Sequence, residues 1–191
     1  MRFFPGLLLL TGLLSGCASL TEDECAIGDW AAVGANDASQ GQKTSRFFVH
    51  QKACKRYNIL PDQAQYIEGY RRGLLKYCTP TNGFNVGRNG YTYQNICPSD
   101  AEAQFMRGYE RGKNLHDIET AMADARNRLG VVRQKINEER NAPSSGEKEK
   151  AETQLQRRQI RLEHTLRQLG QRRDRSLVEA DDFLQSISPD V

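Results

Sequence analysis

Between Pro98 and Pro143 the chain has no proline, and from Leu115 onward all its large apolar residues but Val131 fall on one lattice. Leu115, Ile118, Met122, Ala125, Leu129, Val132 and Ile136 stand 3, 4, 3, 4, 3 and 4 residues apart. Such spacing is a heptad seam, one stripe of an α-helix that a second helix must cover. Phe105, Gly108 and Gly112 carry the lattice upstream with smaller residues. Asn141-Ala142-Pro143 ends the helix, and Ser144-x-x-Glu147 is a capping box that opens another. Leu155, Leu162, Leu166, Leu169, Ala180, Phe183 and Ile187 lie on the seam of this second helix. Two helices of about 43 residues, each roughly 64 Å long, joined by a turn this short form an antiparallel hairpin. Centred on Pro143, the hairpin sets Ile136 against Ala151, Met122 against His164 and Leu166, and Phe105 and Gly108 against Ala180 and Phe183.

The rest of the chain is short. In 191 residues the apolar share is 38 %, and nine of those residues lie in the first sixteen. With a mean hydropathy of −0.70, the remainder is too polar for a large globular core or a spanning helix. A formal net charge of +3, from 27 basic and 24 acidic side chains, excludes a bulk polycation that binds polyanions by charge alone.

Met1-Arg2 is a minimal basic start, followed by a mostly apolar run of twelve from Phe3 to Leu14. A bilayer span needs about twenty such residues, so the run reads as a leader. It ends in Leu14-Ser15-Gly16-Cys17, which resembles the bacterial lipobox. There the cysteine thiol takes a diacylglyceryl group and the leader is cut in front of it. The resemblance implies a signal peptide over residues 1–16, an acylated Cys17 and, with Ala18 rather than Asp next to it, an outer-membrane destination facing the periplasm. Two or three acyl chains suffice for stable anchoring. The alternative is an ordinary secretory leader cut after Ala18.

With Cys17 lipidated, Cys25, Cys54, Cys78 and Cys97 remain, an even number suited to an oxidising compartment. Of three possible pairings, Cys25–Cys54 with Cys78–Cys97 is favoured. Cys54 and Cys78 sit near the carboxyl ends of consecutive helices, which point apart if those helices are antiparallel. A metal site is the alternative, but no C-x-x-C or H-x-x-x-H spacing supports it.

Residues 17–98 read as a small helical head and 99–188 as the hairpin, with its turn near 141–146. Thr21-x-x-Glu24 is a capping box that opens a helix to about Gln40. A second helix covers roughly 45–57 and a third 61–77. Residues 79–96, with Thr-Pro, Asn-Gly and a further Asn-Gly, read as a loop closed by a Cys78–Cys97 bridge. An internal repeat marks the head: residues 64–73 match 103–112 at an offset of 39, and Gly34 with Ala38 forms a fainter copy. Each copy sets small residues at i and i+4 on one face. An interior helical glycine costs about 1 kcal/mol relative to alanine, so the glycines need a compensating close contact. One reading is close backbone packing. The other is a ligand groove for a cell-wall glycan or peptide, formed by Trp30, Tyr66, Gly69, Tyr70, Gly73, Tyr77 and Tyr109.

Glu24-Cys25-x-x-Gly28-Asp29-Trp30, Gly34-x-x-Asp37, His50-x-x-x-Cys54, Tyr66-x-x-Gly69-x-x-x-Gly73-Leu74-x-x-Tyr77-Cys78 and Gly87-x-x-Gly90-x-x-Tyr93-x-x-x-Cys97-Pro98 follow in order. This set resembles the bacterial lipoproteins grouped as domain-of-unknown-function family 2799, over about residues 20–115. The resemblance implies an envelope lipoprotein with a helical hairpin tail, and it carries no known activity.

Constellations for chemistry are sparse. His50, His116 and His164 lie on three different helices without a carboxylate pair at ligand spacing. His50 and Cys54 share a face, but an oxidised Cys54 is no nucleophile. Asp29 and Asp37 are eight apart without a second signal for acid–base work. The glycines at 83, 87 and 90 lack the strand and Lys-Ser/Thr of a phosphate loop. Between Arg157 and Arg175 there are seven arginines and two acids. This is a solvated flank paired with acids of its own and the facing helix, or a contact for anionic lipid, lipopolysaccharide or an acidic envelope partner. The sequence therefore predicts an all-α, lipid-anchored envelope protein without cofactor or metal, a non-enzymatic scaffold or interaction module. A disulfide-stapled head carries a coiled-coil arm that folds within the chain or self-associates. Compartment excludes nucleic acid as a partner.

Overall fold

The computed structural model describes residues 19–141, 143 and 145–187. The leader, Cys17, Ala18 and the Ser144 cap fall outside them. Among the described residues the chain is all-α, with seven helices and no strand.

The first helix, α1 (Glu22–Ile27), opens on the Thr21–Glu24 capping box. It stops at Gly28, which takes φ +69°, a left-handed conformation open to glycine at little cost. Asp29 then accepts the amide hydrogen of Ala32 at 2.9 Å and starts α2 (Trp30–Ser39). The single helix expected from Thr21 to Gln40 is thus two, because Gly-Asp supplies a stop and a start in succession. Next come α3 (Arg46–Lys55) and α4 (Gln63–Tyr77), the latter capped by Asp62, so Pro61 precedes the helix rather than starting it.

Residues 79–96 are not the loop expected from their turn signals. Thr79 accepts from the Asn82 amide at 3.1 Å, Pro80 takes the first helical position, and α5 runs Pro80–Arg88. Only the return from 89 to 98 is irregular. The last two helices, α6 (Ser99–Asn141) and α7 (Gly146–Ile187), form the hairpin.

The head is built from two crossed helix pairs. In the first, α2 and α4 run in the same direction, with Ala31 on Gly69, Ala35 on Gly73 and the Tyr66 carbonyl on Gly34. In the second, α5 and α6 repeat the arrangement, with Pro80 on Gly108, Phe84 on Gly112 and the Phe105 and Tyr109 carbonyls on Gly83 and Gly87. A Cβ at any of these glycines would overlap the opposing backbone. Two backbones in direct contact gain dispersion contacts and Cα–H···O approaches, which offset the poor helix propensity of glycine. The 39-residue offset thus marks the second helix of each pair. The true counterpart of Gly34 and Ala38 is Gly83 and Gly87, at an offset of 49.

Each pair closes its own core. One gathers Leu20, Trp30, Phe47, Tyr66 and Tyr70; the other gathers Tyr77, Val86, Tyr93 and Phe105; Leu74 packs against both. Each core holds one disulfide, Cys25–Cys54 in the first and Cys78–Cys97 in the second.

Beyond the head, the α6 seam from Leu115 to Ile136 is buried throughout, whereas on α7 Leu155, Leu162, Leu166 and Leu169 are half-buried. Asn114 donates to Ser176 Oγ at 2.9 Å, and Arg133 pairs with Glu163 at 3.1 Å. The Arg111 guanidinium lies 4.5 Å over the Phe183 ring. Phe183 therefore sits about one turn from the place expected for it beside Phe105 and Gly108. Those two residues are occupied by the second core and by α5, the helix that the turn signals concealed.

Candidate functional site

Three helices of the head converge on one carboxylate. Asp37, near the end of α2, is 4 % exposed. Its Oδ2 accepts from His50 Nε2 of α3 at 2.7 Å and from the Tyr66 hydroxyl of α4 at 2.8 Å. Arg46 Nε, at the start of α3, lies 3.4 Å from Oδ1. The other ring nitrogen of His50 is 3.0 Å from Ser19 Oγ. A buried carboxylate is tolerable only with such donors, and these tie α2, α3, α4 and the segment before α1 into one unit. Burial, then the bond to Asp37, raises the Tyr66 phenol far above its ordinary range, so it stays a donor. Burial pushes its neighbour Tyr70 up to about 12.

Ser19, His50 and Asp37 are the residue types of a hydrolytic triad. The carboxylate, however, is also engaged by Tyr66 and Arg46, and the histidine is 2 % exposed. As built, the cluster is a clamp. Sequence reasoning missed it because Asp37 and His50 are on separate helices, 13 residues apart. Asp29, eight residues before Asp37, is exposed and caps α2. Cys54 is in its disulfide, so no thiol stands beside His50.

The residues named as a ligand groove lie in the helix crossings. Tyr66, Tyr70, Tyr77 and Trp30 are buried, and α2 covers Gly69 and Gly73. Tyr77 stacks on Phe105, with ring centres 5.2 Å apart. Tyr109, half-buried, donates its hydroxyl to the Tyr91 carbonyl at 3.2 Å. This face has no room for a glycan or peptide because a helix backbone fills it.

Open surface lies elsewhere. A cleft of about 640 Å³ separates the two halves of the head, lined by Lys43, Arg46, Val49, Tyr91 and Gln94 among others, and by no acidic residue. Among the described residues, no group of His, Cys, Asp and Glu is placed to hold a metal ion, and no helix is long and apolar enough to cross a membrane.

On α7 the expected lattice of ion pairs is thin. Arg173 pairs with its neighbour Asp174, and Glu163 is taken by Arg133 of α6. Arg157, Arg158, Arg161, Arg172 and Arg175 have no carboxylate within ion-pair distance among the described residues. Glu138 and Glu139 of α6 line a cleft together with Arg157, Arg158 and Arg161 but stand beyond ion-pair distance from them.

Fold and site together define a class: an all-helical protein whose disulfide-bonded head is made of two glycine-crossed helix pairs, with a long hairpin growing from the second. Residues 29–114 match the family model DUF2799, described as a protein of unknown function, and this stretch of the chain belongs to that family. The match begins at the Asp29 cap and ends at Asn114, so it takes in both crossed pairs and stops as α6 leaves the head. No curated protein and no solved structure matches the chain.

Proposed function

We propose that this chain is a lipid-anchored outer-membrane protein facing the periplasm, where it serves as a non-enzymatic scaffold or interaction module. The observation that carries the reading is the arm. Beyond the head, from Leu115 on, the 43-residue α6 buries a continuous seam against the 42-residue α7, and the other faces of this stretch are open to solvent. Such an arm extends contact surface away from a compact base. Two disulfides suit an oxidising compartment, and the Leu-Ser-Gly-Cys sequence ending at Cys17 suits acylation. The two hydrogen bonds that His50 and Tyr66 give the buried Asp37 favour an interaction role over hydrolysis.

A photo-crosslinking residue at Val131, an exposed position on α6, tests the role in cells. Discrete adducts with an envelope component or a second copy are expected; no adduct under any growth condition would sink the scaffold reading. Fractionation of Cys17→Ala tests the anchor separately. The protein should leave the membrane fraction, and unchanged membrane association would remove acylation from the account.

A further inference from the structure

The cleft between the two halves of the head holds donors that the fold leaves without acceptors. Tyr77 is the clearest. It is 6 % exposed and stacks on Phe105, yet it also lines the cleft. Its hydroxyl passes beside Gly41, where a Cβ would stand 2.7 Å from the oxygen. The other buried phenols all donate: Tyr66 to Asp37, Tyr70 to the Gln42 carbonyl and Tyr93 to Glu102. The Tyr77 hydroxyl has no acceptor among the described residues. Burial raises this phenol above its ordinary pKa, so it keeps its hydrogen. Arg46 is satisfied at one end at most. Its Nε is enclosed 3.4 Å from Asp37 Oδ1 without a hydrogen bond, while the side chain as a whole is 40 % exposed. The two terminal nitrogens, with four of the five guanidinium hydrogens, have no acceptor among the described residues. The Lys43 ammonium is exposed and likewise without a partner there.

Unused donors around one space match a negatively charged acceptor. The cleft is lined by no acid, and neither is the adjoining concavity of about 480 Å³ that shares Lys43, Ser45 and Gln94 with it. Charge limits the choice further. Of the two cations, Arg46 already faces Asp37, and His50, on Asp37 as well, does not line the cleft. One negative charge therefore completes the balance, as a carboxylate does and a phosphate dianion does not. At about 640 Å³ the cleft has the size of a small-molecule site. Val49 and Tyr91, 51 % and 66 % exposed, supply apolar wall. We propose that this cleft binds a small organic carboxylate, with its acid group on Arg46, Lys43 and the Tyr77 hydroxyl and its apolar part against Val49 and Tyr91.

Phenylacetate and its uncharged counterpart phenylacetamide test the proposal. Each is titrated into the isotope-labelled full chain carrying Cys17→Ser, so that no acyl chain competes for the cleft. Phenylacetate should shift the amide signals of residues 41–46 and 91–94, and phenylacetamide should not. Lys43→Gln should weaken binding about tenfold, the contribution of one hydrogen bond to a charged group. Tyr77→Phe separates ligand from fold, because it keeps the ring on Phe105 and removes only a hydroxyl without an acceptor. It should weaken binding about tenfold and leave the thermal midpoint unchanged or higher. No shift with phenylacetate, equal binding of acid and amide, or full affinity in both variants would overturn the proposal. So would a lowered midpoint in Tyr77→Phe, which would give the hydroxyl to the fold. Inorganic phosphate binding more tightly than phenylacetate would assign the cleft to phosphate and overturn it equally. N-acetylphenylalanine distinguishes the sources of a carboxylate: tighter binding than phenylacetate supports a peptide carboxyl terminus, and weaker binding supports a free acid.

Discussion

Asp37 is a single acceptor shared by donors from two other helices, so its removal strands more than one polar group. In Asp37→Ala, His50 and the Tyr66 hydroxyl keep polar atoms in a closed core with no partner. The expected loss is about 3 to 5 kcal/mol, the range for breaking one side of a buried pair, read from urea unfolding. A loss below about 1 kcal/mol would mean that water reaches the cluster and replaces the carboxylate. Alkaline titration probes the same core. Tyr70 holds its proton to about 12 in the fold, whereas an unfolded tyrosine releases it near 10. The folded value is the raised one, so this contribution is complete below pH 10 and is lost as the pH climbs towards 12. The urea midpoint should fall between pH 10 and 11.5; a flat midpoint would contradict the burial of the phenols. Their meeting was not legible in the sequence: Asp37, His50 and Tyr66 each stand in one of the motifs that carry the family resemblance, but only the path of three helices brings them together.

At the scale of helices, glycine means opposite things at different places. Gly69 and Gly108 lie against the backbones of Ala31 and Pro80, while nothing lies within 4 Å of the Cβ position at Gly130. Gly130→Ala should therefore stabilise by up to about 1 kcal/mol through helix propensity alone. Gly69→Ala and Gly108→Ala should destabilise by about 1 to 3 kcal/mol despite the same gain, because two main chains must move apart. Thermal unfolding of the three variants gives the signs directly, and matching signs would refute the crossing. Removing the bridge by Cys78→Ser with Cys97→Ser should lower stability by roughly 3 kcal/mol on the loop-entropy estimate. The seams were readable because heptad spacing is a local rule, and the cysteine pairing because Cys54 and Cys78 fall at the carboxyl ends of two different helices. Helix α5 was hidden because Asn82-Gly83 and Gly87 imitate turns. Its true signals were Thr79-Pro80, a cap followed by a first-turn proline, and Gly83-x-x-x-Gly87, the same small-residue spacing as Gly69-x-x-x-Gly73.

Over the whole molecule, α6 belongs to two structures at once. Its first turns close the second crossed pair through Phe105, Gly108 and Gly112, beside a disulfide. Its later turns bury Ala125, Leu129, Val132 and Ile136 against α7, whose facing leucines are only half covered. The two ends of one helix therefore differ in what opposes their opening. The base is locked by backbone contact and a covalent bridge, whereas the tip depends on a two-helix seam. Opening should begin at the tip and propagate as a separate unit. Val132, 1 % exposed, is the place to test it, because an aspartate there must either carry a buried charge or open the hairpin. In Val132→Asp, amide hydrogen exchange should accelerate across residues 126–165 while residues 31–112 keep their protection. Equal acceleration in both would show that head and arm unfold as one, in which case the continuity of α6 outweighs the different ways its two ends are held.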